Sequence, residues 1–168
     1  MKLSEIRLFA MDVDGTLTDG KIYMGNDGEV SKAFHVKDGL GIKLLRNCGI
    51  IPVIITGRTS QIVANRCKEV GITELHQGII DKASKLKEIM QNYDLSSEQV
   101  AYIGDDMNDL GAMEVAGITF APADCADSLR PYVDIILTKN SGDAPVREAI
   151  DQILQSINYS FNGFKDLQ

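Results

Sequence analysis

Two apolar runs in this sequence stop at acidic residues, a third stops at a threonine, and a lysine follows close behind. In "LFAMDVDGTLTDG", residues 8–20, Asp12 and Asp14 follow a greasy segment. "IIPVIITGR" ends in Thr56, Gly57 and Arg58, and "VAYIGDD" ends in Gly104, Asp105 and Asp106. Lys82 lies in "GIIDKASKL". Carboxylates packed together repel and raise one another's pKa. A divalent cation removes the conflict, and oxygen ligands without histidine or thiolate point to Mg²⁺ rather than zinc. One carboxylate can attack a phosphorus atom to give an aspartyl-phosphate. A second, two residues on, can share a side with it, protonate the leaving oxygen and later deprotonate water. The metal offsets charge between nucleophile and phosphate. Lys82 opens a predicted helix, so its ammonium and the helix N-terminus both suit an anion, and Thr56 adds a hydroxyl donor.

The elements around these residues alternate. Strands are expected at 6–11, 50–56, 74–77, 100–104, 118–121 and 134–138, and helices at 38–48, 60–70, 82–93, 108–115, 126–131 and 144–157. "IIPVIIT" is continuously apolar, as in a strand covered on both faces. Leu86, Ile89, Met90 and Tyr93 repeat at helical spacing, and Gly49 and Gly71 lie at helix ends. Residues 21–36 read as two strands around Gly25-Asn26-Asp27-Gly28, a hairpin signal. The alternation predicts an α/β fold: a Rossmann-like three-layer sandwich with a mostly parallel sheet and a projecting β-hairpin. In a parallel sheet the strand C-termini share one edge, where ligands bind. Three carboxylates and Thr56 therefore converge on one crevice, and Gly15 lets the chain turn there.

The 168 residues, 44% hydrophobic, suit one domain over 1–168. A net charge of −7 argues against nucleic acid, whose phosphates need a basic surface. No apolar run reaches the roughly 20 residues that cross a bilayer, and "MKLSEIRL" carries charges where a signal peptide would be apolar. Cys48, Cys67 and Cys125 are odd in number and widely spaced, which fits neither a disulfide framework nor zinc. Small buried residues in a reducing cytoplasm are the expectation. His35 and His76 have no second ligand at metal spacing, and read as structural. Met90, Met107 and Met113 read as packing residues.

"DVDGTLTD", "IITG", Lys82 and "IGDDMND" resemble, in order, the four motifs of the haloacid dehalogenase superfamily of phosphohydrolases. The resemblance implies Asp12 as nucleophile and Asp14 as general acid/base. It implies Mg²⁺ held by Asp12, the backbone carbonyl of Asp14, and Asp105. Thr56 and Lys82 would bind phosphate, and Asp109 would support the metal shell or orient Lys82. Many members insert a cap domain between these motifs. The gaps here are too short for one, so an open site is expected unless a neighbouring subunit closes it.

Over residues 6–155 the chain is similar to a capless subfamily, the 3-deoxy-D-manno-octulosonate 8-phosphate phosphatases. The matching segments include "DGKIYMGNDGEVSKAFHVKDGLGIKLL", "ITGRTSQIVANRCKEVGI", "HQGIIDK" and "GDAPVRE". That similarity implies a homotetramer whose hairpins, 21–36, form a central barrel, with a neighbour contributing to each site. A lone hairpin is marginal in water and gains from partners. Lys37, Arg58 and Arg66 are the candidate ligands for the sugar acid's carboxylate. Arg66 follows Arg58 by two helical turns and so can share its face. Lys37 stands where the family usually has arginine, and lysine binds a carboxylate without the bidentate fork. Relatives acting on nine-carbon sialic-type acid 9-phosphates tend to carry glutamate at the position of Arg58, which leans the reading toward the eight-carbon substrate. In the tail, 158–168, Tyr159, Phe161 and Phe164 either reach over a neighbour's site or pack on their own subunit. Two rival classes are a receiver-like phosphoacceptor, which would lack Asp14, and a non-enzymatic tetramer module, which would not keep all four motifs.

Overall fold

The four residues of the first strand alternate between two cores, and that alternation organises the molecule. The computed structural model describes residues 2–161. In β1 (Leu8–Met11), Phe9 and Met11 enter one apolar cluster while Leu8 and Ala10 enter another on the opposite face of the sheet. Strands buried on both faces need helices above and below, and the chain supplies them between successive strands.

After β1 come β2 (Tyr23–Gly25) and β3 (Gly28–Ser31), then α1 (Val36–Asn47), β4 (Ile51–Ile55), α2 (Gln61–Val70) and β5 (Glu74–His76). The second half runs α3 (Lys82–Asn92), β6 (Val100–Ile103), α4 (Leu110–Val115), β7 (Ile118–Ala121), β8 (Ile135–Ile136) and α5 (Pro145–Ser156). The main sheet has the order β5-β4-β1-β6-β7-β8, and all its pairings are parallel. Leu8 lies opposite both Ile51 of β4 and Val100 of β6. The chain builds outward from β1 on one side and then crosses to the other. The switch point therefore lies at the C-terminal end of β1, where such sheets open a crevice.

One cluster joins α1, α2 and α5 to the sheet through Leu45, Val63, Ile150 and Ile153, and the other joins α3 and α4 through Leu86, Ile89 and Met113. Phe9 and Phe120 meet edge to face at 6.0 Å, an arrangement that suits their ring quadrupoles. β2 and β3 pair with each other alone, as an antiparallel hairpin outside the main sheet. Hairpin and α1 fill the gap between β1 and β4, and no cap domain is inserted there.

Several boundaries differ from the expectation, for local reasons. α1 starts earlier, at Val36, because His35 caps it: its Nδ1 accepts from the Lys37 amide at 3.1 Å. The helix expected at 126–131 is a set of turns ending in one 3₁₀ turn, Arg130–Tyr132, since Pro131 has no N–H to continue it. β8 keeps only two of the five residues expected at 134–138. The Asp134 carboxylate instead accepts from the amide and hydroxyl of Thr119, at 2.9 and 2.8 Å. Beyond β8, the amides of Thr138 and Lys139 go to Glu148, so the ladder stops. Helix 108–115 opens as a 3₁₀ turn, Met107–Asp109. On that turn Met107 is exposed, which corrects its reading as a packing residue; Met113 is buried and Met90 packs against the core. No described helix is long and apolar enough to cross a membrane.

Candidate active site

The parity of β1 decides where Asp12 points. It is the next even position after Leu8 and Ala10, so it falls on the side of α3 and α4. Its amide continues the ladder to β6 by donating to the Ile103 carbonyl at 3.0 Å. Lys82, the first residue of α3, lies directly beside it, with Nζ 3.0 Å from Asp12 Oδ1 and 2.7 Å from Asp109 Oδ1. All three side chains are almost fully buried. Each of the two carboxylates has a partner in that ammonium, without which burial would be prohibitive.

Asp109 is saturated by its surroundings. Its Oδ1 also accepts from the Tyr102 hydroxyl at 2.7 Å, and Oδ2 accepts from the amides of Asp105 and Asp106 at 3.0 and 3.4 Å. It thus clamps Lys82 and shapes the turn that presents Asp105. Asp105 has one oxygen held by the Thr16 hydroxyl at 3.3 Å. Gly15, at φ +87°, brings the chain against it; a Cβ there would lie 2.5 Å from Asp105 Cγ and 2.9 Å from Oδ1. Only glycine fits that approach at that backbone angle.

Asp12, Asp105 and Asp109 each offer an oxygen, and the three atoms lie within 4.8 Å of one another. Burial, then the negative charge of Asp109, push Asp12 up to about 6 despite Lys82. Burial, then Asp109 and Asp12, push Asp105 up to about 7. Burial pulls the Lys82 ammonium down, but Asp109 and Asp12 outweigh it and its pKa is raised. One lysine does not neutralise three carboxylates. An all-oxygen cluster with that unbalanced charge fits a hard divalent cation.

Thr56 is buried at the end of β4, its amide donating to the His76 carbonyl at 3.0 Å. The Asp14 side chain stands apart from the acidic cluster. It pairs with Lys32 of the hairpin, whose Nζ also lies 2.8 Å from Glu29 Oε1. Arg58 and Lys37 are exposed. Arg58 precedes the N-cap Ser60 of α2, so it does not lie on the helix and does not share a helical face with Arg66, as their spacing had suggested. The Arg66 guanidinium instead pairs with Glu69 of its own helix at 2.9 Å and reaches the residues just before α1, 3.4 Å from the carbonyl of its N-cap His35 and 5.7 Å over the Phe34 ring. His76 pairs with Glu74 at 2.9 Å. Of the tail aromatics, Tyr159 packs against its own core, Phe161 is exposed, and Phe164 lies outside the described residues.

Sequence reasoning missed Thr16, Tyr102 and the pair Glu29–Lys32. Thr16 carries a signal in "DGTLT", one residue past the turning glycine. Tyr102 was findable from strand parity, since it shares a face with Val100 in the α3-side core. Nothing local marks the contact of Lys32 with Asp14, which is 18 residues away.

The family described as haloacid dehalogenase-like hydrolase matches residues 68–150. The 3-deoxy-D-manno-octulosonate 8-phosphate phosphatase KdsC of Escherichia coli K12 is 42% identical over 153 residues, covering 91% of this chain and 81% of that protein. The cobalt-bound deoxy-D-mannose-octulosonate 8-phosphate phosphatase of Haemophilus influenzae superposes with a TM-score of 0.94 at 37% identity, over 99% of both chains. The Moraxella catarrhalis 3-deoxy-D-manno-octulosonate 8-phosphate phosphatase, solved with magnesium, phosphate and KDO, gives 0.90 at 42% identity over 93% of this chain and 90% of its own. Fold, acidic cluster and relatives agree across nearly the whole length, and the chain belongs to the haloacid dehalogenase-like hydrolases as a phosphatase of the capless branch that contains these enzymes.

Proposed function

We propose that the protein hydrolyses 3-deoxy-D-manno-octulosonate 8-phosphate with Mg²⁺, through an aspartyl-phosphate on Asp12. The observation that carries the reading is the Asp12–Lys82–Asp109 arrangement beside Asp105. It supplies a carboxylate nucleophile next to fixed positive charge, in a chain 42% identical to an enzyme of that name. Asp12, Asp105 and the Asp14 carbonyl would hold the metal, with Asp109 fixing Lys82 and the Asp105 turn. When bound, Mg²⁺ supplies positive charge that offsets repulsion between carboxylate and phosphoryl group.

Asp12 attacks phosphorus, the bond from phosphorus to the sugar oxygen breaks, and Asp14 gives its proton to that oxygen. Asp14, now a carboxylate, takes a proton from water. The resulting hydroxide attacks phosphorus, the bond to Asp12 breaks, and phosphate leaves with Asp14 protonated again. Lys82 and Thr56 hold the phosphoryl oxygens through both steps. Lys37, Arg58 and Arg66 are the cations for the sugar-acid carboxylate, shared between neighbouring subunits of a homotetramer. Exposure of Tyr23, Met24 and Val30 on the hairpin supports such an assembly, because lone hairpins with bare apolar side chains gain from burial.

The test is phosphate release with Mg²⁺ across eight- and nine-carbon keto-acid phosphates, alongside simple alkyl and aryl phosphates. The reading expects the eight-carbon acid to give the highest kcat/KM. A preference for the nine-carbon sialic-type acid 9-phosphate would overturn the substrate assignment. Light scattering on the purified chain tests the tetramer.

A further inference from the structure

The hairpin does more than project. Lys32, on the segment leaving β3, has no exposed side-chain surface, although lysine is rarely buried unless its charge is paired. Its ammonium contacts two carboxylates, Asp14 at the active-site turn and Glu29 on β3 at 2.8 Å. Glu29 in turn accepts a hydrogen bond from the hydroxyl of Ser60, the N-cap of α2 just beyond Thr56-Gly57-Arg58. A continuous polar chain, Asp14–Lys32–Glu29–Ser60, therefore ties the loop after β1 to the loop after β4 through the hairpin of the same subunit. These are the two loops that carry the proposed acid/base and the proposed phosphate-binding threonine.

We infer that Lys32 is a positioning residue: anchored by Glu29 and Ser60, it holds Asp14 through Oδ1 in both its protonated and ionised forms and leaves Oδ2 to carry the proton in both transfers. The inference rests on the reading of Asp14 as general acid/base. The Asp14 side chain has 18% exposure and stands outside the acidic cluster, so neither Lys82 nor that cluster fixes it. Charge-assisted hydrogen bonds from a buried ammonium restrict a short carboxylate far more than water does. Glu29 contacts the same ammonium on its other side at 2.8 Å, so Lys32 is itself fixed. Misplacement by about 1 Å at a proton-transfer group costs on the order of a hundredfold in rate.

The experiment compares leaving groups. An alkoxide needs a proton to depart, whereas 2,4-dinitrophenolate leaves without one. Lys32→Met should lower kcat/KM about 100-fold on the best alkyl phosphate of the wild-type survey, and less than about threefold on 2,4-dinitrophenyl phosphate. With the aryl substrate the variant should also release a burst of one dinitrophenolate per site, because Asp14 then activates water slowly. Lys32→Arg can span both carboxylates and should recover to within about tenfold of wild type. The double variant Lys32→Met with Glu29→Gln removes the stranded Glu29 charge and should keep the Lys32→Met pattern in a stable protein. Equal losses on both substrates, or an arginine variant no better than methionine, would overturn the inference. Asp14→Asn, run in parallel, should show the same leaving-group pattern; an Asp14→Asn variant without it would overturn the acid/base reading and the inference with it. Because the alkyl substrate is chosen by survey, failure of the eight-carbon substrate assignment leaves this comparison intact.

Discussion

Replacing Gly15 by alanine is the sharpest perturbation of the acidic cluster that changes no polar atom. At φ +87° a Cβ is strained, which costs about 1 kcal/mol or more. The added carbon would also lie 2.5 Å from Asp105 Cγ, where ordinary contact needs 3.4 Å or more, so the carboxylate has to retreat by roughly 1 Å. That retreat breaks the 3.3 Å hydrogen bond from Thr16 and moves Asp105 away from Asp12. Loss of a supporting contact of this kind weakens metal binding by about 10- to 100-fold, and a 1 Å displacement at the reacting centre costs about a hundredfold in kcat. The assay is a Mg²⁺ titration of phosphate release, with urea denaturation in excess chelator to measure stability separately. Stability should fall by about 1–2 kcal/mol, since no core side chain is lost. A Gly15→Ala enzyme with half-saturating Mg²⁺ and kcat both within about threefold of wild type would refute the packing argument. It would show that Asp105 is free to move without consequence.

Lys82→Met leaves Asp12 and Asp109 buried without their shared cation, so the metal-free protein should lose about 3–5 kcal/mol in urea denaturation; a loss under about 1 kcal/mol would contradict the pairing. The same change removes the charge that lowers Asp12, so residual activity should rise toward higher pH relative to wild type. Asp38 gives a stability test remote from the acidic cluster: its Oδ1 accepts from the Arg147 amide at 2.7 Å, its Oδ2 has no hydrogen-bond partner, and burial pushes it up to about 7. A carboxyl raised above its unfolded value is protonated in the folded state while the unfolded chain has lost its proton. Its contribution to stability therefore falls as pH rises through the interval from 3.8 to about 7, and is flat above. Asp38→Asn should remove that slope, and the wild-type advantage over it should shrink by up to about 3 kcal/mol between about pH 5 and 8; parallel pH profiles would refute this.

What was legible in the sequence was what depends on periodicity and on strand ends. "LFAM" and "VAYI" are buried on both faces, so their continuous apolarity already spoke for a covered parallel sheet. Asp12, Lys82, Asp105 and Asp109 come together because each sits at the end of an element whose type and direction were readable. Less legible were features set by partners distant in the chain. β8 is short because the Asp134 amide goes to the Thr119 hydroxyl and those of Thr138 and Lys139 go to Glu148. Arg66 turned to the residues just before α1 because Phe34 and the His35 carbonyl lie there, 31 residues away in sequence for the latter. The Asp14–Lys32 contact bridges two segments whose separation no local pattern encodes.

The central place of β1 has a consequence for how the molecule is made. Leu8 pairs with Val100, and that partner is synthesised about ninety residues after it. Lys82, Asp105 and Asp109 arrive in that same late portion of the chain. At roughly 5–20 residues per second, the nucleophile's strand waits several seconds with one hydrogen-bonding edge open. Early pairing with β4 covers only one flank in that interval, so the nascent chain exposes a sticky apolar ribbon until β6 docks. Chaperone dependence during translation should thus track β6, and a ribosome stalled before residue 100 should hold a chain with no competent acidic cluster.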